Sequence, residues 1–140
     1  MTNIPPVVTG HYPTFVPAVN EDGNGLGGIW LPEVAVPLGT YQGFNPRKKE
    51  ANAPNYMTRF YGSFWPFAIT KAERDKTGDP RLSLEERYAN KEDYVEKVIL
   101  ETNKLLGDRL LIKEDADRII NAAKASSWPP VMLETWPFWK

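Results

Sequence analysis

Apolar positions in the second half of the chain recur at helical spacing. After Asn90, the residues Val95, Val98, Ile99, Thr102, Leu105 and Leu106 fall at i, i+3 and i+4, so one stripe of a helix ending near Leu106 is apolar and Gly107 offers its stop. Residues 112–125 repeat the pattern, with Ala116, Ile119, Ile120 and Ala123 on the face to be buried. Two such helices with a short connection predict an αα-hairpin over 90–125. Ahead of them, Thr70-Lys71-Ala72-Glu73 and Ser83-Leu84-Glu85-Glu86 have the spacing in which a hydroxyl and a carboxylate each accept from an orphan backbone N–H, and Gly78 can close the first of these short helices.

The first half reads as irregular, extended backbone. Its one local signal is a possible short β-hairpin, in which Thr14-Phe15-Val16 to Val19 and Gly28-Ile29-Trp30-Leu31 flank a turn rich in Asn-Gly and Asp-Gly pairs. Pro17 and Pro32 each remove a ladder donor and confine those strands to edges. The predicted fold class is therefore mostly irregular plus α, divided into an extended segment 1–69, a helical segment 70–127 and an aromatic tail 128–140.

Composition sharpens that division. Residues 1–80 hold 10 of the 13 Pro and 9 of the 10 Gly, whereas 81–127 hold no Pro and only Gly107. Aromatic side chains crowd the first half and the tail. Loops rarely pack so many on themselves, because helices and strands are what satisfy buried backbone polar groups. The first segment thus reads as laid across another surface, with Phe15, Trp30, Tyr41, Phe44, Phe64, Trp65 and Phe67 as docking residues and Trp128, Trp136 and Trp139 joining them from the tail. Pro129-Pro130 and Pro137 exclude a continuous helix through the tail, and tryptophans on an extended strip suit a docking arm. Fold-back over the chain's own helices is the competing reading, and a peripheral membrane contact through the tail is a third.

Charge excludes more than it suggests. Seventeen Lys and Arg against 18 Asp and Glu leave a net charge of −1, which supplies no field for a phosphate backbone, so no nucleic-acid partner is expected. Arg47-Lys48-Lys49 is a local basic run and reads as a solvated loop. Cys is absent, which removes disulfides, thiolate metal sites and Cys nucleophiles together. No stretch approaches the roughly 18 apolar residues of a membrane span, and MTNIPPVVTG lacks a basic start and an apolar run, so the expectation is a mature, cytoplasmic chain.

Candidate chemistry is thin. None of Ser63, Ser83, Ser126 and Ser127 sits in G-x-S-x-G, and Gly62-Ser63-Phe64-Trp65-Pro66 runs into a proline where a helix should begin. Ser63 reads as a loop serine bonded to backbone. His11 is the only imidazole and has no neighbouring carboxylate in sequence to orient it. Asn20, Asp22, Asn24 and Gly25 match a calcium loop in part, but Leu31 stands where a bidentate carboxylate is needed, so the hairpin turn is preferred. Gly23, Gly25, Gly27 and Gly28 are followed by no Lys-Ser/Thr and make a weak phosphate cradle. Asp93 with Lys97 and Glu114 with Arg118 are expected as surface i,i+4 pairs. We expect no catalytic residue, no cofactor and no metal.

Several ordered motifs resemble a known family. Phe15-Val16-Pro17-Ala18-Val19, then Gly28-Ile29-Trp30-Leu31-Pro32-Glu33-Val34-Ala35-Val36-Pro37-Leu38-Gly39-Thr40-Tyr41, Gly62-Ser63-Phe64-Trp65-Pro66-Phe67, Gly78-Asp79-Pro80-Arg81-Leu82-Ser83 and Leu110-Leu111-Ile112-Lys113-Glu114-Asp115-Ala116-Asp117-Arg118 are similar to the C-terminal region of large bacterial alpha/beta hydrolase domain proteins. The resemblance covers about 12–125. Trp30 stands where the family suggests Arg, and Lys113 where it suggests Pro; the tail from Trp128 has no counterpart. The resemblance implies that the family's serine and histidine lie upstream of this region, so no catalytic role transfers to any position here. The resulting expectation is an accessory subunit in a hetero-complex, with the C-terminal piece of a split esterase-like hydrolase as the alternative.

Overall fold

The computed structural model describes residues 7–13, 15–47, 50, 56–58 and 61–130. Chain order runs through a one-turn helix α1 (Pro32–Ala35), strands β1 (Gly39–Gln42), β2 (Asn45–Pro46), β3 (Met57–Thr58) and β4 (Ser63–Pro66), and helices α2 (Lys71–Thr77), α3 (Leu84–Arg87), α4 (Lys91–Gly107) and α5 (Lys113–Ala125).

The helices start where local chemistry says they should. Thr70 accepts from the Glu73 amide at 3.2 Å to open α2, and Gly78 ends it in the left-handed region at φ 68°. Both the amide and the hydroxyl of Ser83 donate to Glu86 at the start of α3, at 3.0 and 2.8 Å. Asn90 accepts from the Asp93 amide at 2.9 Å and opens α4. At its far end the left-handed residue is Arg109, φ 60°, and not Gly107, which remains helical. Leu110 N–H donates to the Leu105 carbonyl and Arg109 N–H to that of Leu106, the paired bonds of a Schellman ending. Arg118 pairs with Asp115 at 2.8 Å, one residue from the expected Glu114, while Asp93 pairs with Lys97 at 2.8 Å as expected.

The irregular half is more structured than its composition suggests. β1 and β4 are antiparallel with Gly39 opposite Pro66 and Gln42 opposite Ser63, and β2 and β3 pair Asn45 with Thr58. A side chain cannot replace Gly39, where a Cβ would lie 2.5 Å from the Trp65 carbonyl oxygen and 2.7 Å from the Phe64 ring. The expected hairpin between 14–19 and 28–31 contracts to a single bridge, Val19 to Gly25. Residues 28–31 are not a strand: Gly28 takes φ 85°, and Pro32 then supplies the first position of α1.

One hydrophobic core joins both halves of the chain. Val36 and Phe67 from the first half pack with Leu84, Tyr88, Val98 and Ala123, and Leu38, Tyr94, Val95, Ile119 and Trp128 close over them. On α4 the predicted stripe delivers Val98, Thr102 and Leu105 to the interior, and on α5 it delivers Ala116 and Ala123. Thr102 is wholly buried, its hydroxyl donating to the Val98 carbonyl at 2.7 Å.

Candidate functional site

The first half is tied to the helices by two arginines that share one ring. Arg81 and Arg87 place their guanidinium carbons 5.2 and 4.1 Å from the centroid of Phe67, which is 3 % exposed. Arg87 makes a two-pronged pair with Asp22, sixty-five residues earlier, and its Nε donates to the Leu82 carbonyl at 2.9 Å. Arg81 forks onto Asp79 at 2.9 and 2.6 Å, and its Nη1 donates to Thr40 Oγ1 at 2.8 Å and the Trp65 carbonyl at 3.0 Å. The Thr40 hydroxyl in turn donates a hydrogen bond to the Asp22 carbonyl. The turn at 20–24, strands β1 and β4, and helix α3 are therefore held at one polar junction.

Asn24 finishes that junction. Its Oδ1 accepts from the Tyr41 amide at 2.7 Å and its Nδ2 donates to the Gly39 carbonyl at 3.2 Å. With Asp22 on Arg87 and Asn20 Oδ1 accepting from the Asp22 and Asn24 amides, the oxygens that made a partial calcium loop in sequence are committed to the protein itself. Among the described residues no group of three His, Asp or Glu could hold a metal ion. Ser63, the first residue of β4, is buried; its hydroxyl donates to the Phe44 carbonyl at 2.8 Å and accepts from Trp65 Nε1 at 2.9 Å. A nucleophile elbow places its serine between a strand and a helix, whereas Ser63 opens a strand.

Titration follows these contacts. The hydrogen bonds from Arg81 hold the Asp79 carboxyl below the ordinary carboxylate value. Burial pushes Tyr41 up to about 12, with the Glu33 charge adding to it. Burial likewise raises Tyr88, whose hydroxyl donates to the Pro37 carbonyl at 2.8 Å. Because Asp79 is depressed when folded, the stability it contributes is complete above its unfolded value of 3.8 and is lost as pH falls through the lower folded value. Thermal melts across acid pH should show the midpoint falling below about pH 4, and Asp79→Asn should flatten part of that fall. An Asp79→Asn profile parallel to wild type would contradict the assignment.

The predicted docking residues that lie within the described part of the chain divide into three groups. Phe15 is 93 % exposed. Tyr41 and Phe64 face each other across β1 and β4 with ring centroids 4.8 Å apart, and Trp30 lines a groove of about 610 Å³ with Ile29, Leu105 and Leu110; Phe44 and Trp65 are half-buried. Phe67 and Trp128 are used inside the chain. Trp128 stacks on Tyr94 at 5.3 Å and meets Tyr88 edge-on at 5.9 Å. Trp136 and Trp139 lie outside the described residues. Sequence reasoning did not find the two arginines or Asp79, for which only the Asp79-Pro80-Arg81 spacing gives a local hint.

Comparison with protein families agrees with the motif resemblance. A family model described as an alpha/beta hydrolase domain matches residues 2–121. The chain belongs to the alpha/beta hydrolase domain family. No curated protein and no solved structure matches it. The match to this family ends before Trp128, and it takes in the whole arginine junction and nearly all of the helical hairpin. No helix among the described residues of this family member is long and apolar enough to cross a membrane.

Proposed function

We propose that the chain is a non-catalytic accessory subunit of a larger protein complex, derived from the closing region of an alpha/beta-hydrolase-like protein and acting in the cytoplasm. The observation that carries this reading is the concentration of exposed large apolar side chains between residues 7 and 31. Val7, Val8, Tyr12, Phe15, Val16, Val19, Leu26, Ile29 and Leu31 are all exposed there, although the junction fixes the turn in their midst. Large apolar patches on a monomer mark interaction surfaces. Trp136 and Trp139 belong to the same proposed docking set, as does the Tyr41 and Phe64 pair.

Native mass spectrometry of the chain isolated from its source tests the proposal. The expected result is a hetero-complex for wild type, and a free chain with unchanged helicity for Phe15→Ser/Ile29→Ser. A monomeric wild type, or a double variant that keeps its partner, would overturn it. Family membership favours a second reading, a split hydrolase whose serine is on the partner. In both readings the isolated chain is expected to turn over no ester, and turnover lost in Ser63→Ala but kept in Ser83→Ala would sink both. Ester hydrolysis by the complex, abolished by changing a serine on the partner, would select the second.

A further inference from the structure

Asn24-Gly25 is a dipeptide prone to self-conversion, because Gly25 puts no side chain in the way of its own amide nitrogen. That nitrogen attacks Cγ of Asn24, the bond from Cγ to Nδ2 breaks, and ammonia leaves with the peptide proton as a succinimide ring closes. Water then opens the ring to aspartate or isoaspartate, so the balance is one water consumed and one ammonia released.

In the folded chain the Asn24 carboxamide is committed to β1. Nδ2 and Oδ1 of Asn24 are bonded to the Gly39 carbonyl and the Tyr41 amide, which turns the carboxamide toward β1. The Asn24 carbonyl, in the peptide unit that carries the Gly25 nitrogen, accepts from the Asn20 amide at 2.8 Å, and the Asn24 amide in the preceding unit donates to Asn20 Oδ1 at 2.9 Å, so both peptide units flanking Asn24 are bonded within the turn. The residue is 1 % exposed. Attack requires the carboxamide to leave β1 and the peptide to turn, and so requires the junction to open.

We propose that Asn24 is a gated modification site: it is protected while the 20–24 turn is docked on β1, and it deamidates when the turn opens, after which the turn cannot dock again. The product explains the irreversibility. An aspartate at this position presents an oxygen to the Gly39 carbonyl where Nδ2 donated, in a site with almost no solvent, and isoaspartate adds a methylene to the main chain between residues 24 and 25. Either change unties the 20–24 turn from β1 while leaving the α4 and α5 stripe intact, which makes the conversion a one-way loosening of the turn in the midst of the apolar stretch.

The test incubates the full chain at mildly alkaline pH and follows conversion at Asn24 by peptide mass spectrometry, in native buffer and in urea. The native chain should convert at least about tenfold more slowly than the unfolded one, the ratio reporting the opening equilibrium. Equal rates would overturn the gating. Asn24→Asp supplies the aspartate product directly: hydrogen exchange should show the Tyr41 and Leu26 amides losing protection while those of α4 and α5 keep theirs. Wild-type protection at Tyr41 in that variant would overturn the claim that the product cannot dock.

Discussion

Phe67→Ala should destabilise the isolated chain by about 3–5 kcal/mol, as deletion of a buried ring does. That is a large part of the roughly 5–15 kcal/mol by which a domain is stable. The ring is 3 % exposed, it packs in the cluster with Val36, Leu84, Tyr88 and Val98, and it carries a guanidinium at 4.1 Å and another at 5.2 Å. Alanine removes the hydrophobic contact and leaves both cations without the ring face beside them. Phe67→Leu restores volume but not the aromatic face, so it should recover part of the loss and not all. Urea unfolding of the three proteins gives the measurement. A Phe67→Ala chain within about 1 kcal/mol of wild type that nevertheless lost its partner would show the ring to be a docking anchor, against its position in the core.

The sequence places Phe67 among the docking aromatics for a physical reason. The aromatic load of the first half is legible in sequence, but the side of the backbone on which each ring falls depends on pairings that no local pattern encodes. β1 and β4 are four residues each, separated by more than twenty positions, and bounded by Gly39 and Pro66. Alternation over so short a span is indistinguishable from chance. Trp128 shows the same limit: as part of a proline-rich tail it resembles an arm, and it is the Tyr88 and Tyr94 faces, brought together by α3 and α4, that receive it.

The helical half was readable because its determinants are local. Thr70 with Glu73, Ser83 with Glu86 and Asn90 with Asp93 are bonds across three residues, and each forms as the spacing requires. Even there the ends slip. Gly107 could have taken the left-handed position, yet the bonds from Arg109 and Leu110 back to the helix place it at Arg109, a conformation few non-glycine residues adopt. The polar junction was the least legible feature. In sequence Asp22 reads as one oxygen of a partial metal loop, and its partner lies sixty-five residues away on α3.

Arg87→Ala should accordingly cost about 3 kcal/mol, the lower end for breaking a buried ion pair, since the two side chains retain 15 % and 12 % of their exposure. The loss has three parts: Asp22 keeps its charge in a mostly buried place without a partner, the Leu82 carbonyl loses its donor, and one face of Phe67 is uncovered. Arg87→Lys separates them. An ammonium can neutralise Asp22 but cannot bond both its oxygens and Leu82 together, so the variant should fall between Ala and wild type. In a double-mutant cycle with Asp22→Ala, the two changes should couple by more than about 0.5 kcal/mol, beyond the scatter of independent sites. Hydrogen exchange then locates the damage. The amides of Asn20, Leu26 and Tyr41 depend on the junction, while those of α4 and α5 are held by their own ladders and by the Val98, Leu105 and Ala116 interior. Arg87→Ala should open the first set and spare the second. Additive energies in the cycle, or protection lost equally throughout the chain, would mean that Asp22 and Arg87 are near each other without holding the two halves together.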